Sequence, residues 1–136
     1  KKGGQMVIIK AWEIEGVEVP EPYKRRIKVL LAPDQGGVSA LSMSQAIIPP
    51  QSKTDYHSHD RPEAIYVVSG SGVCMCDDQK IPITSGMVFW VPPGERHQFI
   101  NTGYEPLTLL TIFVPPYTAA ENYAKCLQGW GILKSQ

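Results

Sequence analysis

A surplus of charge of either sign is missing from this chain of 136 residues: 13 Lys and Arg stand against 13 Asp and Glu. That balance argues against nucleic acid as a partner, because gripping a phosphate backbone needs an excess of cations to displace counterions. Long hydrophobic runs are missing too. Stretches such as Leu107 to Pro116 fall well short of the roughly 20 residues that span a bilayer, so no membrane partner is expected. No basic segment leading into an apolar one opens the sequence, and no secretory leader is expected. Cysteine is scarce and odd in number, at three. Cys74, Cys76 and Cys126 do not form a disulfide framework, and a reducing cytoplasm is the simplest compartment. Cys74 and Cys76 are two residues apart and should share one strand face. With no second Cys or His pair nearby, they read better as small apolar side chains on a packed face than as a metal or redox pair. Repeats, low-complexity tracts and charge runs are absent as well.

What the chain does have is apolar content and punctuation. It is 43% hydrophobic, enough for a real core, and it carries 12 Gly and 12 Pro. Breakers at that density interrupt helices and point to many short strands in one domain. Strands are expected over Met6 to Ile14, Ile27 to Leu31, Val38 to Ile48, Glu63 to Ser69, Val73 to Cys76, Gln79 to Ile83, Met87 to Val91, His97 to Asn101 and Pro106 to Val114. Glu15 to Arg26, with Pro20 and Pro22, reads as a loop or draped arm. Asp77-Asp78 is a plausible hairpin tip. In the third of these strands Leu41, Met43, Gln45 and Ile47 share one face, and Ser42, Ser44 and Ala46 the other. After Pro115-Pro116 the pattern changes. Thr118-Ala-Ala-Glu121 has the form of a capping box, so a helix is expected over about 119–128, with Gly129 just past its end. Nine or ten short strands and one C-terminal helix favour an antiparallel barrel or sandwich.

The three histidines fall on two turn-and-strand units. His57 and His59 point the same way on an extended segment, and the break at Asp60-Arg61-Pro62 lets Glu63 converge on them from the next strand. His97 follows the Pro92-Pro93-Gly94 turn. Three imidazoles and one carboxylate suit a first-row divalent ion (Mn, Fe, Co, Ni, Cu or Zn) and leave positions open for water or substrate. On residue types alone, ordinary surface or core histidines remain the alternative.

The stretch His57-x-His59-x3-Glu63-x6-Gly70 resembles the first motif of the cupin superfamily. Gly86-x5-Pro92-x-Gly94-x2-His97-x3-Asn101 matches the second at every fixed position. The two motifs cover roughly a third of the chain, separated by a short segment, Ser71 to Ser85. One departure stands at Gln51, where the first motif usually has Gly; that Gly serves a turn, which Pro49-Pro50 would have to serve instead. The resemblance implies an all-β double-stranded β-helix, the jelly-roll or cupin barrel, of two antiparallel sheets with one C-terminal α-helix. Its core barrel would span about 27–114, with an N-terminal strand over 6–14. It also implies that His57, His59, Glu63 and His97 ligate one divalent transition metal. Similar proteins include dioxygenases, decarboxylases, isomerases and lyases, as well as modules that bind a sugar or metabolite without turnover. An intact ligand set favours a metal-dependent enzyme acting on a small oxygen-rich substrate or O₂. Small cupins are commonly homodimers, so a homodimer is expected, with the N-terminal strand and the helix available to pack on a second copy. The helix could instead fold back as a lid.

Alternation from Glu63 and His97 puts Ile65, Val67 and Phe99 inside the barrel. Either Met87 and Phe89 or Val88 and Trp90 join them. No general acid or base can be named. Ser42, Ser44, Gln45, Tyr56, Arg61, Gln98 and Tyr117 are the polar candidates, most of them expected to point outward or to serve structure. Arg96 pointing inward to hold an anion is a minor alternative to an exposed turn pair with Glu95. Asn101 is expected to hold a turn by hydrogen bonds, and Gly86 and Gly94 to permit turns.

Overall fold

The structure, a computed structural model, describes residues 4–130. Nine strands precede one helix: β1 (Val17–Val19), β2 (Arg25–Leu31), β3 (Ser42–Ile48), β4 (Glu63–Ser69), β5 (Ser71–Cys76), β6 (Gln79–Thr84), β7 (Val88–Val91), β8 (His97–Ile100), β9 (Leu107–Phe113) and α1 (Ala119–Gln128). They form two sheets, one ordered β1-β2-β3-β9-β4-β7 and one ordered β6-β5-β8, with antiparallel pairing throughout. Isolated bridges Lys53↔Ile100 and His57↔His97 lay the segment before β4 alongside β8 and extend the smaller sheet. Two antiparallel sheets and a C-terminal helix are the architecture the sequence implied. No helix among the described residues is long and apolar enough to cross a membrane.

The core lies between the sheets. Ile48, Ile65, Val67, Leu107, Leu109 and Phe99 are buried there. Strand alternation explains the selection: on β4, Glu63, Ile65 and Val67 point in, and Ala64, Tyr66 and Val68 point out. On β3 the inward set is Ser42, Ser44, Ala46 and Ile48, a small and partly polar face. On β7 the choice resolves to Phe89 packed on the core, with Val88 and Trp90 exposed. Asp77, at φ 53, turns the β5–β6 hairpin where expected.

Three expectations need correction. Met6 to Ile14 forms no strand; it holds only a 3-10 turn at Ala11–Glu13, with Met6, Ile8 and Trp12 exposed. β-branched residues make a strand only where an edge is free to pair, and β1 takes the edge of β2 through Val17↔Ile27 and Val19↔Arg25. The loop expected over Glu15 to Arg26 therefore contains a strand. The strand expected from Val38 begins only at Ser42, because a tight turn bridging Ala32 to Gln35 and Gly36 precedes it.

α1 carries the expected capping box: the Thr118 hydroxyl accepts from the Glu121 amide at 3.0 Å, and the Glu121 carboxylate accepts from the Thr118 amide at 2.8 Å. The helix folds back onto its own barrel. Asn122 and Cys126 are buried, and the Val29 amide of β2 donates to the Tyr123 hydroxyl at 2.9 Å. Of the two placements expected for the helix, the structure shows the lid.

Candidate metal centre

Backbone pairing brings the two histidine-bearing motifs together. The His57 amide donates to the His97 carbonyl at 3.0 Å, and the His97 amide donates to the His57 carbonyl at 2.8 Å. This reciprocal pair fixes the two rings at a centroid separation of 4.6 Å. The Gly94 amide donates to the His59 carbonyl at 2.9 Å, pinning the second motif's turn onto the first. Glu63 opens β4 between Val91 of β7 and Phe113 of β9 and points inward. All four side chains are buried.

The turns around these residues are held as the motif glycines require. Gly70 has φ 93, and a Cβ there would stand 2.6 Å from the Pro106 carbonyl oxygen. At the atypical position, Gln51 itself adopts φ 67, the left-handed conformation that the expected Gly would supply. Its side-chain amide donates to the Gly103 carbonyl at 3.1 Å. The turn is kept by Gln51 and not replaced by Pro49-Pro50. Asn101 is fully buried, donates to the Ile48 and Glu105 carbonyls and accepts from the Gly103 amide, all within 2.9 Å. It ties the end of β8 to β3 and to the approach to β9.

Two of the three rings are oriented from behind. His57 Nδ1 lies 2.7 Å from the Asp55 carbonyl, and His97 Nδ1 lies 3.0 Å from the Glu95 carbonyl. Carbonyls only accept, so both rings carry their proton on Nδ1 and turn the Nε2 lone pair inward. His59 Nε2 and His97 Nε2 stand 3.2 and 3.3 Å from the same Glu63 oxygen. Neither contact has hydrogen-bond geometry: His59 Nε2 and Glu63 Oε1 are buried without a partner. Leaving such atoms unpaired costs about 1–3 kcal/mol each, and more for a charge, which a cation between them would offset. His57, His59 and His97 each offer a ligand atom within 4.8 Å of the others and form a group that could hold one metal ion.

Glu63 and the two rings beside it are electrostatically coupled. Burial pushes the Glu63 carboxyl up, but the flanking His59 and His97 rings outweigh it and hold the group down at about 2. Burial also lowers His59. His97 is raised despite burial, through Glu63 and through the Glu95 carbonyl, which favours the protonated ring. The two imidazoles share one carboxylate and move in opposite directions: His59 is lowered further by the neighbouring His57 and His97 rings, while His97 gains the Glu95 carbonyl and the Asp55 charge. Behind His57, burial raises Asp55, but the His57 ring and the Arg25 guanidinium, 3.4 Å away, bring it down to about 2.

A cavity of about 60 Å³ adjoins these residues, walled by Ile65, Phe99, Leu109 and Phe113, with Arg25, Ser44, Thr54, Thr111 and Asn122 as polar groups. Trp130, after the helix, lines it as well. Its ring lies 4.3 Å edge-on from His59 and 6.0 Å stacked from His57. Of the polar candidates, only Ser44 lines this cavity, 3.5 Å from the Asn122 amide. Ser42 accepts from the Tyr117 amide, Gln98 donates to the Thr54 carbonyl, and Gln45 lies on the sheet's other face. The Arg61 guanidinium covers the Tyr117 ring at 3.7 Å and binds the Pro116 carbonyl, while the Tyr117 hydroxyl donates to Asp60. Arg96 is exposed over the Tyr56 ring at 4.6 Å and holds no anion inside.

The Cys74 and Cys76 thiols are held in their protonated form. Cys74 is buried, and burial raises its thiol to about 12. The Cys76 thiol donates to Glu95 at 3.1 Å, which raises it to about 11. Sequence reasoning missed Arg25, Asp55, Asn122 and Trp130. Asp55 had a signal, since it lies two residues before His57 on an extended segment. Asn122 and Trp130 reach the site only because α1 folds back.

The cupin-domain family model matches residues 44–113, and the chain belongs to that family. An uncharacterised protein of Methanocaldococcus jannaschii is 34% identical over 93 residues, covering 68% of this chain and 74% of its own length. An L-ectoine synthase of Mycobacterium sp. strain KMS is 29% identical over 120 residues, 85% of this chain and 89% of that one. The solved structure of ectoine synthase from P. lautus aligns with a TM-score of 0.72 at 22% identity, over 88% of this chain and 86% of that one, and shows the shared barrel.

Proposed function

We propose that the chain is a metal-dependent enzyme of one domain, in which His57, His59, Glu63 and His97 hold a single divalent transition metal ion. The observation that carries the reading is the buried Glu63 oxygen, unpaired and facing two imidazole Nε2 atoms. One carboxylate and three neutral rings match a divalent ion and leave one or two coordination positions open. An ion so placed would supply Lewis-acid polarisation of a small oxygen-rich substrate, or O₂ binding if it is Fe(II). The residues around it do the positioning. Asp55 and Glu95 hold the rings, and Ile65, Phe99 and Phe113 keep the site dry. Overlap with an L-ectoine synthase across 85% of this chain supports an enzyme over a module that binds a sugar or metabolite.

His97→Ala is expected to lower metal content by elemental analysis at least tenfold, with an unchanged far-ultraviolet circular dichroism spectrum. Chelation of the loaded wild type should lower its Tm by several degrees, since binding energy is part of folding energy. Full occupancy in His97→Ala would remove His97 from the site.

The protein works as a homodimer in the cytoplasm, in this reading, with three free thiols matching a reducing compartment. The dimer forms through the outer face of the larger sheet. There Tyr66 faces Val88 and Leu110 across the ladders, and Ala64 faces Trp90 and Ile112. These outward positions carry no charge, so the patch can meet its own copy across a two-fold axis without repulsion.

A further inference from the structure

Beside the metal cavity lies a second, larger chamber of about 200 Å³, between the β1–β2 connection and the end of α1. Its walls are mostly apolar and aromatic, among them Val19, Pro22, Tyr23, Tyr56 and Leu127. Four residues face both chambers: Arg25, His57, Cys126 and Trp130. Three of them are tied down. Arg25 donates to the Tyr23 carbonyl at 2.8 Å and pairs with Asp55. His57 is locked to His97 by the reciprocal backbone pair, and the Cys126 thiol donates to Asn122 within α1. Trp130 differs. It follows Gly129 at φ 92, beyond the last helical turn, and its amide donates to Asp55 Oδ2 at a long 3.5 Å. Its ring rests edge-on against His59 at 4.3 Å and against Tyr117 at 5.3 Å, contacts of the aromatic kind that another ring can replace.

The inner chamber, at about 60 Å³, has room for only a few water-sized atoms beside an ion. A chelating group fits there; a whole metabolite with a body of several carbons does not. We propose that the substrate is two-ended, with adjacent oxygens that enter the inner chamber and an apolar or aromatic body in the outer one, and that Trp130 is the movable partition it displaces. This rests on the metal reading above and deepens it. Trp130 is then the specificity-determining residue that sorts ligands by the body behind a common chelating end.

A matched pair of acids tests this: glycolate, and 3-phenyllactate, which has the same 2-hydroxy-carboxylate end and a benzyl body. Each is titrated into Co(II)-loaded full-length protein, followed by the visible absorption of the cobalt. Trp130→Ala should tighten 3-phenyllactate at least tenfold and leave glycolate within threefold. An equal change for both acids, no change for either, or weaker binding of 3-phenyllactate overturns the proposal while leaving the metal reading intact. Failure of the wild type to take up cobalt overturns both, and is seen before either acid is added. A second measurement does not depend on Trp130→Ala folding. The chain has three tryptophans, and a Trp12→Phe/Trp90→Phe protein keeps Trp130 as its single indole. Its emission should shift with 3-phenyllactate and not with glycolate; the same response to both overturns the proposal.

Discussion

The two faces of the six-stranded sheet depart locally from the usual distribution of residue types, although the inner face is still mostly apolar core. Inward, β3 presents Ser42, Ser44 and Ala46 and β4 presents Glu63, while the outward positions of β4 and β7 are Tyr66, Val68, Val88 and Trp90, with Trp90 67% exposed. An inner face that was uniformly large and apolar would fill the barrel and leave no cavity. Small residues on β3 keep room above the histidines, and Ile48, Val67 and Leu107 fill the barrel further from them. The outer face has no such need, and its apolar character has no partner among the described residues. Hydrophobicity alone would therefore assign β3's faces the wrong way round. What separates them is that a site must be partly empty and an outer face need not be.

The largest effect expected from this contrast is on stability. Ile65, 2% exposed and at the inner face's centre, should cost about 2–5 kcal/mol as Ile65→Ala by denaturant unfolding. Val68→Ala, two positions from the inward Val67's neighbour Tyr66 on the outer face and 45% exposed, should stay within about 0.5 kcal/mol in the isolated protomer. Equal costs at the two positions would mean that the outer face is as consolidated within one chain as the inner one.

The outer face itself is probed by Trp90→Glu. A charge at the patch centre, repeated across a two-fold axis, sets two like charges together in a dry interface. Light scattering should show the dimer mass fall to that of a monomer at micromolar concentration, with protomer Tm changed by no more than a few degrees. An unchanged mass would move the interface elsewhere. Trp12→Glu, on the exposed N-terminal segment, is the matched control and should leave the mass as it is.

How much of this was legible in the sequence follows the distance over which each contact acts. The hairpin at Asp77-Asp78, the Thr118–Glu121 capping box and the inward run Glu63, Ile65, Val67 are local patterns, and the structure has all three. The convergence of His57, His59 and His97 was legible through motif spacing, although the pairing that achieves it joins residues 40 apart in sequence. Met6 to Ile14 misled because β propensity says nothing about whether an edge is free. Trp130 carried no local signal, because its role depends on where α1 docks. Gln51 shows the limit of residue type: an amide side chain stands at a glycine position and keeps the glycine conformation, held by its bond to Gly103.

The smallest expected effect concerns the cover over the inner face. α1 is capped twice, once by its own Thr118–Glu121 box and once by Asp34, whose carboxylate accepts from the Ala119 amide at 2.6 Å and the Ala120 amide at 3.2 Å. That second cap reaches across 85 residues and pins the helix start to the turn after β2. The Ala119 amide, with the Ala120 amide behind it, lowers the Asp34 carboxyl from its ordinary 3.8 against the opposing effect of desolvation. A depressed folded pKa means stabilisation that is complete above the unfolded value and lost as pH falls through the folded one. Asp34→Ala should therefore lower Tm by roughly one to three degrees at neutral pH, a difference that closes under strong acid. Because Asp34 touches only the helix start, metal content should not change. If it fell with Asp34→Ala, the cover and the inner face would be one cooperative unit, and their separation from the outer face would be sharper than the sheet alone implies.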